Sequence, residues 1–123
     1  MLKSVTLTSK ENNELMRWLQ ELISQIADVT NERRLAKLIL LLERAEQMAS
    51  QYSGGYSGSI LSAEQFHSML KQSIARLKAG EKSELHNLWL WFAPTCAWDD
   101  FIGSEGMNLG NDIFALLDKL VKR

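Results

Sequence analysis

The sequence predicts an all-α fold, a single-domain bundle of about five helices over residues 1–123. Three observations predict it. Apolar residues recur at helical spacing along nearly the whole chain, and period-two alternation is confined to the short run SVTLT at 4–8. The composition, 46% hydrophobic and 24% charged, is that of an ordinary globule. A chain of 123 residues can bury about two-thirds of its unfolded surface, so no metal or disulfide staple is required.

The elements follow in order. Leu15, Leu19, Leu22 and Ile26 share one helical face and predict a helix over 9–28. Thr8 and Glu11 have the spacing of a capping box before it. Leu35, Leu38, Ile39, Leu42 and Ala45 predict a second helix over 31–50, with Thr30 or Asn31 as its N-cap and Glu32 in its first turn. The Gly/Ser/Tyr-rich stretch SQYSGGYSGS at 50–59 is expected to be a mobile loop. Ser62 and Gln65 offer a second capping box for a helix over 62–79. Its apolar face carries Phe66, Met69, Leu70, Ile74 and Leu77, and Gly80 ends it.

A fourth helix starts near Ser83, apolar nearly all round, with Leu85, Leu88, Trp89 and Phe92 on one face. Pro94 forces its end, because the residue before a proline avoids helical angles. Residues 94–107 are expected to be irregular, with Asp99 and Asp100 in solvent. Asn108 should cap a last helix over 108–121.

The stretch WFAPTCAWDDF at 91–101 concentrates the chemistry-bearing residues: four aromatics, the only proline, the only cysteine and two adjacent aspartates. Cys96 with His67 or His86 would make a nucleophile–base pair, and Cys96, Asp99 and His86 the centre of a small enzyme, but no local cysteine-protease signature surrounds the thiol. The two histidines lack metal-ligand spacing, and adjacent aspartates point different ways, so no metal and no cofactor is expected. The glycine-rich GGYSG lacks the Lys-Ser/Thr ending of a phosphate loop. Arg33, Arg34 and Lys37 are interleaved with acids, so direct nucleic-acid binding is not expected. With one cysteine, no long apolar run and an opening segment that soon turns polar, the expected setting is the cytoplasm, away from membranes.

Charge distribution is the most informative feature. The whole chain has net charge −1, yet Ser83 to Asp118 contains no Lys or Arg and holds six acids: Glu84, Asp99, Asp100, Glu105, Asp112 and Asp118. An acidic surface beside aromatics suits a basic protein partner, since complementary fields speed association and fix register. Asp99, Asp100, Glu105 and Glu84 are the expected charges of that surface, and Trp98 its expected aromatic anchor.

The C-terminal third also resembles a known group. It carries Leu88-Trp89, Phe92-Ala93-Pro94-Thr95, Trp98-Asp99-Asp100-Phe101, Leu109-Gly110-Asn111 and Ile113-Phe114. This pattern is similar to small all-helical bacterial immunity proteins of contact-dependent growth inhibition and other polymorphic toxin systems. The resemblance implies a toxin inhibitor, not an enzyme. Its partner would be a cognate toxin with a basic nuclease domain, bound by a monomer or a dimer. A helical regulatory or adaptor subunit using the same surface is the alternative.

Overall fold

The computed structural model describes residues 8–122, in which the fold class is all-α. The helices are α1 (Ser9–Ala49), α2 (Ala63–Lys78), α3 (Glu84–Phe92), α4 (Ala97–Phe101) and α5 (Met107–Val121), with a 3₁₀ turn at Gly103–Gly106 before α5. Among the described residues the only β feature is an isolated bridge between Ser57 and Ile60. Residues 4–7 of the alternating SVTLT run lie outside the described residues.

The chain divides into two compact units, Met1–Arg33 and Arg34–Arg123. The described part of the first is the beginning of α1, and none of its residues is buried. Among the described residues the second unit holds the whole hydrophobic core, built on Leu38 and Leu42 of α1, Phe66 and Leu70 of α2, Leu88 of α3, Trp98 of α4, and Ile113 and Leu117 of α5. Within it α3 packs on both α2 and α5.

Two helices expected at 9–28 and 31–50 are one helix of 41 residues. Thr30, the expected cap, donates its hydroxyl to Ile26 O at 2.9 Å from inside the helix. A hydroxyl bonded to the carbonyl four residues back no longer competes for free N–H groups. With no Gly or Pro between Ala27 and Asn31, a cap-type residue alone does not break the helix. At its start, Glu11 N–H donates to Thr8 Oγ1 at 3.2 Å, as the capping box requires.

The boundaries of α2 follow the sequence closely. Ser62 Oγ accepts from Gln65 N–H at 3.1 Å, while Gln65 Oε1 reaches Leu61 N–H at 2.6 Å. At the other end Gly80 has φ 97°. Its N–H bonds Leu77 O, and Glu81 N–H bonds Arg76 O, the paired closure of a Schellman motif.

Pro94 ends α3 as expected: Ala93 has φ −59° and ψ 149°, and the last helical residue is Phe92. The next segment is not irregular. Cys96 O accepts from Asp100 N–H at 2.9 Å, closing the short helix α4. Five residues make no stable helix alone; α4 stands because Ala97, Trp98, Phe101 and the following Ile102 are buried. The cap of α5 is Gly106, not Asn108, and no side chain bonds there.

Candidate partner-binding surface

Trp98 decides the geometry of the α3–α5 corner. Its ring is fully buried and stacks on Phe92 with centroids 5.0 Å apart. Its indole Nε1–H donates to Gly106 O at 2.8 Å, so its polar edge is satisfied inside the core. Two glycines make the seat. A Cβ on Gly106 would lie 2.6 Å from Trp98 Cζ2, and one on Gly110 would lie 2.6 Å from Trp98 Cδ1 and Nε1. Both are closer than real carbon contacts, which sit near 3.5–4.0 Å. The sequence places Trp98 at a partner surface as an anchor; the structure puts it in the core, a correction. An indole that stacks on Phe92, bonds Gly106 O and fills a two-glycine seat cannot reach a partner.

Glu84 is the second correction. It is expected on the acidic surface, but it is 8% exposed at the start of α3. Its Oε1 lies 4.0 Å from Arg76 Nη1. A carboxylate in the first turn is favoured by the helix dipole, and the guanidinium neutralises it from α2.

The other expected charges, Asp99, Asp100 and Glu105, are exposed. Each is held by a bond to its own chain. Asp99 Oδ2 accepts from Thr95 N–H at 2.7 Å, tying α4 back to the turn after Pro94, where Thr95 has φ 64°. Asp100 Oδ2 accepts from Ser57 Oγ at 2.6 Å. Glu105 Oε2 accepts from Tyr52 O–H, and this bond raises the Tyr52 phenol above its ordinary value of 10.0; burial and the Glu105 charge add to the effect. Asp100 and Glu105 therefore share the 52–57 loop as a neighbour. Asp99 instead lines a small groove with Phe92, Pro94, Met107, Asn111 and Phe114.

The 50–59 loop is pinned at both ends, which the glycine content concealed. Ser57 and Ile60 exchange two backbone hydrogen bonds at 2.9 Å, and Ala63 N–H donates to Gly54 O at 2.8 Å. Gly54 N–H donates to Glu64 Oε1 at 2.7 Å. That bond, with one from Glu64's own N–H, lowers the carboxyl below its ordinary value of 4.5, against a smaller opposing effect of burial. Gly54, Gly55 and Gly58 take the positive φ values that the turns need. Tyr56 and Leu61 stand out from this frame, 77% and 74% exposed. Tyr52, Ser57 and Glu64 are thus part of the surface, and the sequence signal for them was only that polar, hydroxyl-rich residues cluster there.

The remaining acids scatter. Asp118 accepts from Trp89 Nε1 at 3.2 Å and pairs with Lys122 at 3.2 Å. Asp112 lines a groove with Lys37 and Lys119. His86 stacks on Trp89, and His67 bonds Glu46 at 2.8 Å, so each histidine has a neighbour other than Cys96. Cys96 is half-buried just before α4. Among the described residues, no group of three or more His, Cys, Asp or Glu is placed to hold a metal ion. No described helix is long and apolar enough to cross a membrane. In comparison with known protein families, curated proteins and solved structures, the chain matches none.

Proposed function

We propose that this chain is a binding protein whose acidic corner, Asp99, Asp100 and Glu105, docks a basic protein. One observation carries the proposal: three exposed carboxylates stand on α4 and the following 3₁₀ turn, inside a stretch from Ser83 to Asp118 that contains no Lys or Arg. Hydrogen bonds to Thr95, Ser57 and Tyr52 hold them in place before any partner arrives. Preorganised charge reduces the ordering cost of binding and orients the encounter. Tyr56, next in sequence to the Ser57 that bonds Asp100, supplies an exposed aromatic on the same loop. The resemblance of residues 88–114 to immunity proteins favours the finer reading: the partner is a toxin with a basic nuclease domain, and binding neutralises it in the cytoplasm. The site needs no catalytic group for that task. A helical regulatory or adaptor subunit would use the same surface.

The test is co-production with the toxin domain encoded by the adjoining gene. The chain should restore growth, and the Asp100→Asn, Glu105→Gln double variant should restore less while melting at nearly the same temperature. Undiminished protection by the double variant would remove the acidic corner from the interface. Failure of the unaltered chain to protect would remove the toxin reading.

A further inference from the structure

The beginning of α1 carries a feature that the acidic corner does not use. Leu15, Leu19, Leu22, Ile26 and Val29 alternate at spacings of four and three residues. That is a period of 3.5, the seam of a coiled coil rather than the 3.6 of a lone straight helix. Four of the five are well exposed: Leu15 42%, Leu22 39%, Ile26 58% and Val29 48%. Met16, Trp18 and Ile23 flank the seam and are 51%, 57% and 64% exposed. The described part of this unit is one helix, so the stripe has no second element of its own unit to cover it.

Charge selects the occupant. Taking Leu15 as a d position, Glu14, Arg17, Glu21 and Asp28 all fall at b, c or f, on the far side of the helix. Met16, Trp18, Ile23, Gln25 and Thr30 occupy the e and g positions, and none is charged. In a parallel, in-register pair each flank residue meets its own copy, and in an antiparallel pair it meets another flank residue of the same segment. Here that places no like charges across the flanks of the seam between Asn12 and Asn31, so self-pairing meets no electrostatic penalty. An anionic bilayer is a poorer fit. Interfacial helices carry Lys and Arg on the polar face, and this one carries three acids against one Arg over the same span.

Area selects it too. Seven large side chains about half exposed leave on the order of 700 Å² of mostly apolar surface per copy, close to the ≈ 800 Å² per partner of a standard interface. Monomers rarely leave a contiguous patch of that size in water. Two-fold pairing of one surface with itself is also the commonest closed assembly.

We infer that residues 12–31 of α1 pair with the same segment of a second copy, forming a homodimer through a short coiled coil. This surface is separate in sequence from the acidic corner, so each is tested independently. The experiment is sedimentation equilibrium of the full chain up to about 100 µM, a range that detects micromolar dimers. The mass should approach twice 14.0 kDa. The Leu22→Lys, Ile26→Lys double variant should raise the dissociation constant at least about 100-fold, whereas Glu21→Gln on the outer face should leave it within about 2-fold. A wild-type mass that stays at one copy across the range overturns the inference, as does a double variant that dimerises undiminished. A chain that stays monomeric and floats with vesicles of anionic phosphatidylglycerol would assign the stripe to lipid instead.

Discussion

Gly110 offers a direct test of how the Trp98 seat is built. In an ordinary helix, Gly→Ala gains about 1 kcal/mol, because alanine loses less backbone entropy and exposes less backbone. Gly110 lies within α5 without a positive φ, so that gain is available. The added Cβ, however, would stand 2.6 Å from Trp98 Cδ1 and Nε1. Relief to about 3.5 Å or more requires a shift near 1 Å. The ring is poorly placed to give it. It is held by Phe92 at 5.0 Å and by the 2.8 Å bond to Gly106 O, and Gly106 closes its other edge. Overpacking a tight core costs about 1–3 kcal/mol. Stretching the indole bond past its range leaves a buried donor unsatisfied, a further 1–3 kcal/mol or so. Set against the helix gain, Gly110→Ala should destabilise by about 1–5 kcal/mol, with the sign opposite to intrinsic propensity.

Urea unfolding followed by far-UV circular dichroism measures this. A double-mutant cycle with Trp98→Leu supplies the control, since the smaller side chain removes the atoms that the Cβ meets. In that background Gly110→Ala should be neutral or stabilising by up to about 1 kcal/mol. If Gly110→Ala stabilises the unaltered chain, the seat is wrongly described. If the two changes are additive, the clash does not run through Trp98.

Three further outcomes follow from particular atoms. Ser73 Oγ is buried with no hydrogen-bond partner among the described residues, so Ser73→Ala should raise stability by about 1 kcal/mol in thermal or urea unfolding. Thr95 is β-branched at φ 64°, where Asn is tolerated far better, so Thr95→Asn should stabilise by about 0.5–1 kcal/mol, read from the shift in unfolding midpoint. The loop frame should also depend on pH at both ends. The Glu64 carboxyl is lowered, so its contribution is present above its ordinary 4.5 and lost as pH falls through the folded value; the Tyr52 phenol is raised, so its contribution is present below 10.0 and lost as pH rises through the folded value. Glu64→Gln should flatten the acid limb and Tyr52→Phe the alkaline limb, in melting temperature measured across pH.

Features written in local chemistry were legible in the sequence. The Ser62–Gln65 cap, the Gly80 closure and the Pro94 stop depend on residues close in sequence, and each sits where expected. What depends on distant packing was not legible. Thr30 resembles a cap until its hydroxyl is seen bonded to Ile26 O. Gly106 suggests an irregular loop until the Trp98 ring is seen lying where its Cβ would be. The six acids of one stretch form a patch on paper, but helix geometry sends Glu84 to Arg76, Asp112 to a groove with Lys37 and Lys119, and Asp118 to Lys122 and Trp89, leaving three at the corner. Charge sign can be counted along a chain, whereas the direction a side chain faces is set by which neighbours bury it.

The stretch WFAPTCAWDDF thus does two kinds of work, split by helical phase. Trp98 and Phe101 point inward while Asp99 and Asp100 between them point outward. A helix of five residues has almost no stability of its own, so the outward carboxylates are positioned by the inward rings. Trp98 does not touch a partner, yet it fixes where Asp99 meets Thr95 and Asp100 meets Ser57. Core and surface are coupled here over a single turn. On the proposal that the acidic corner docks a basic protein, an alteration that displaces the indole without unfolding the chain should disturb that docking, even though no charge has been removed. Gly110→Ala, at a temperature where it remains folded, should weaken partner binding more than Ser73→Ala does. Equal binding by both variants would mean that the carboxylates are held by the loop alone.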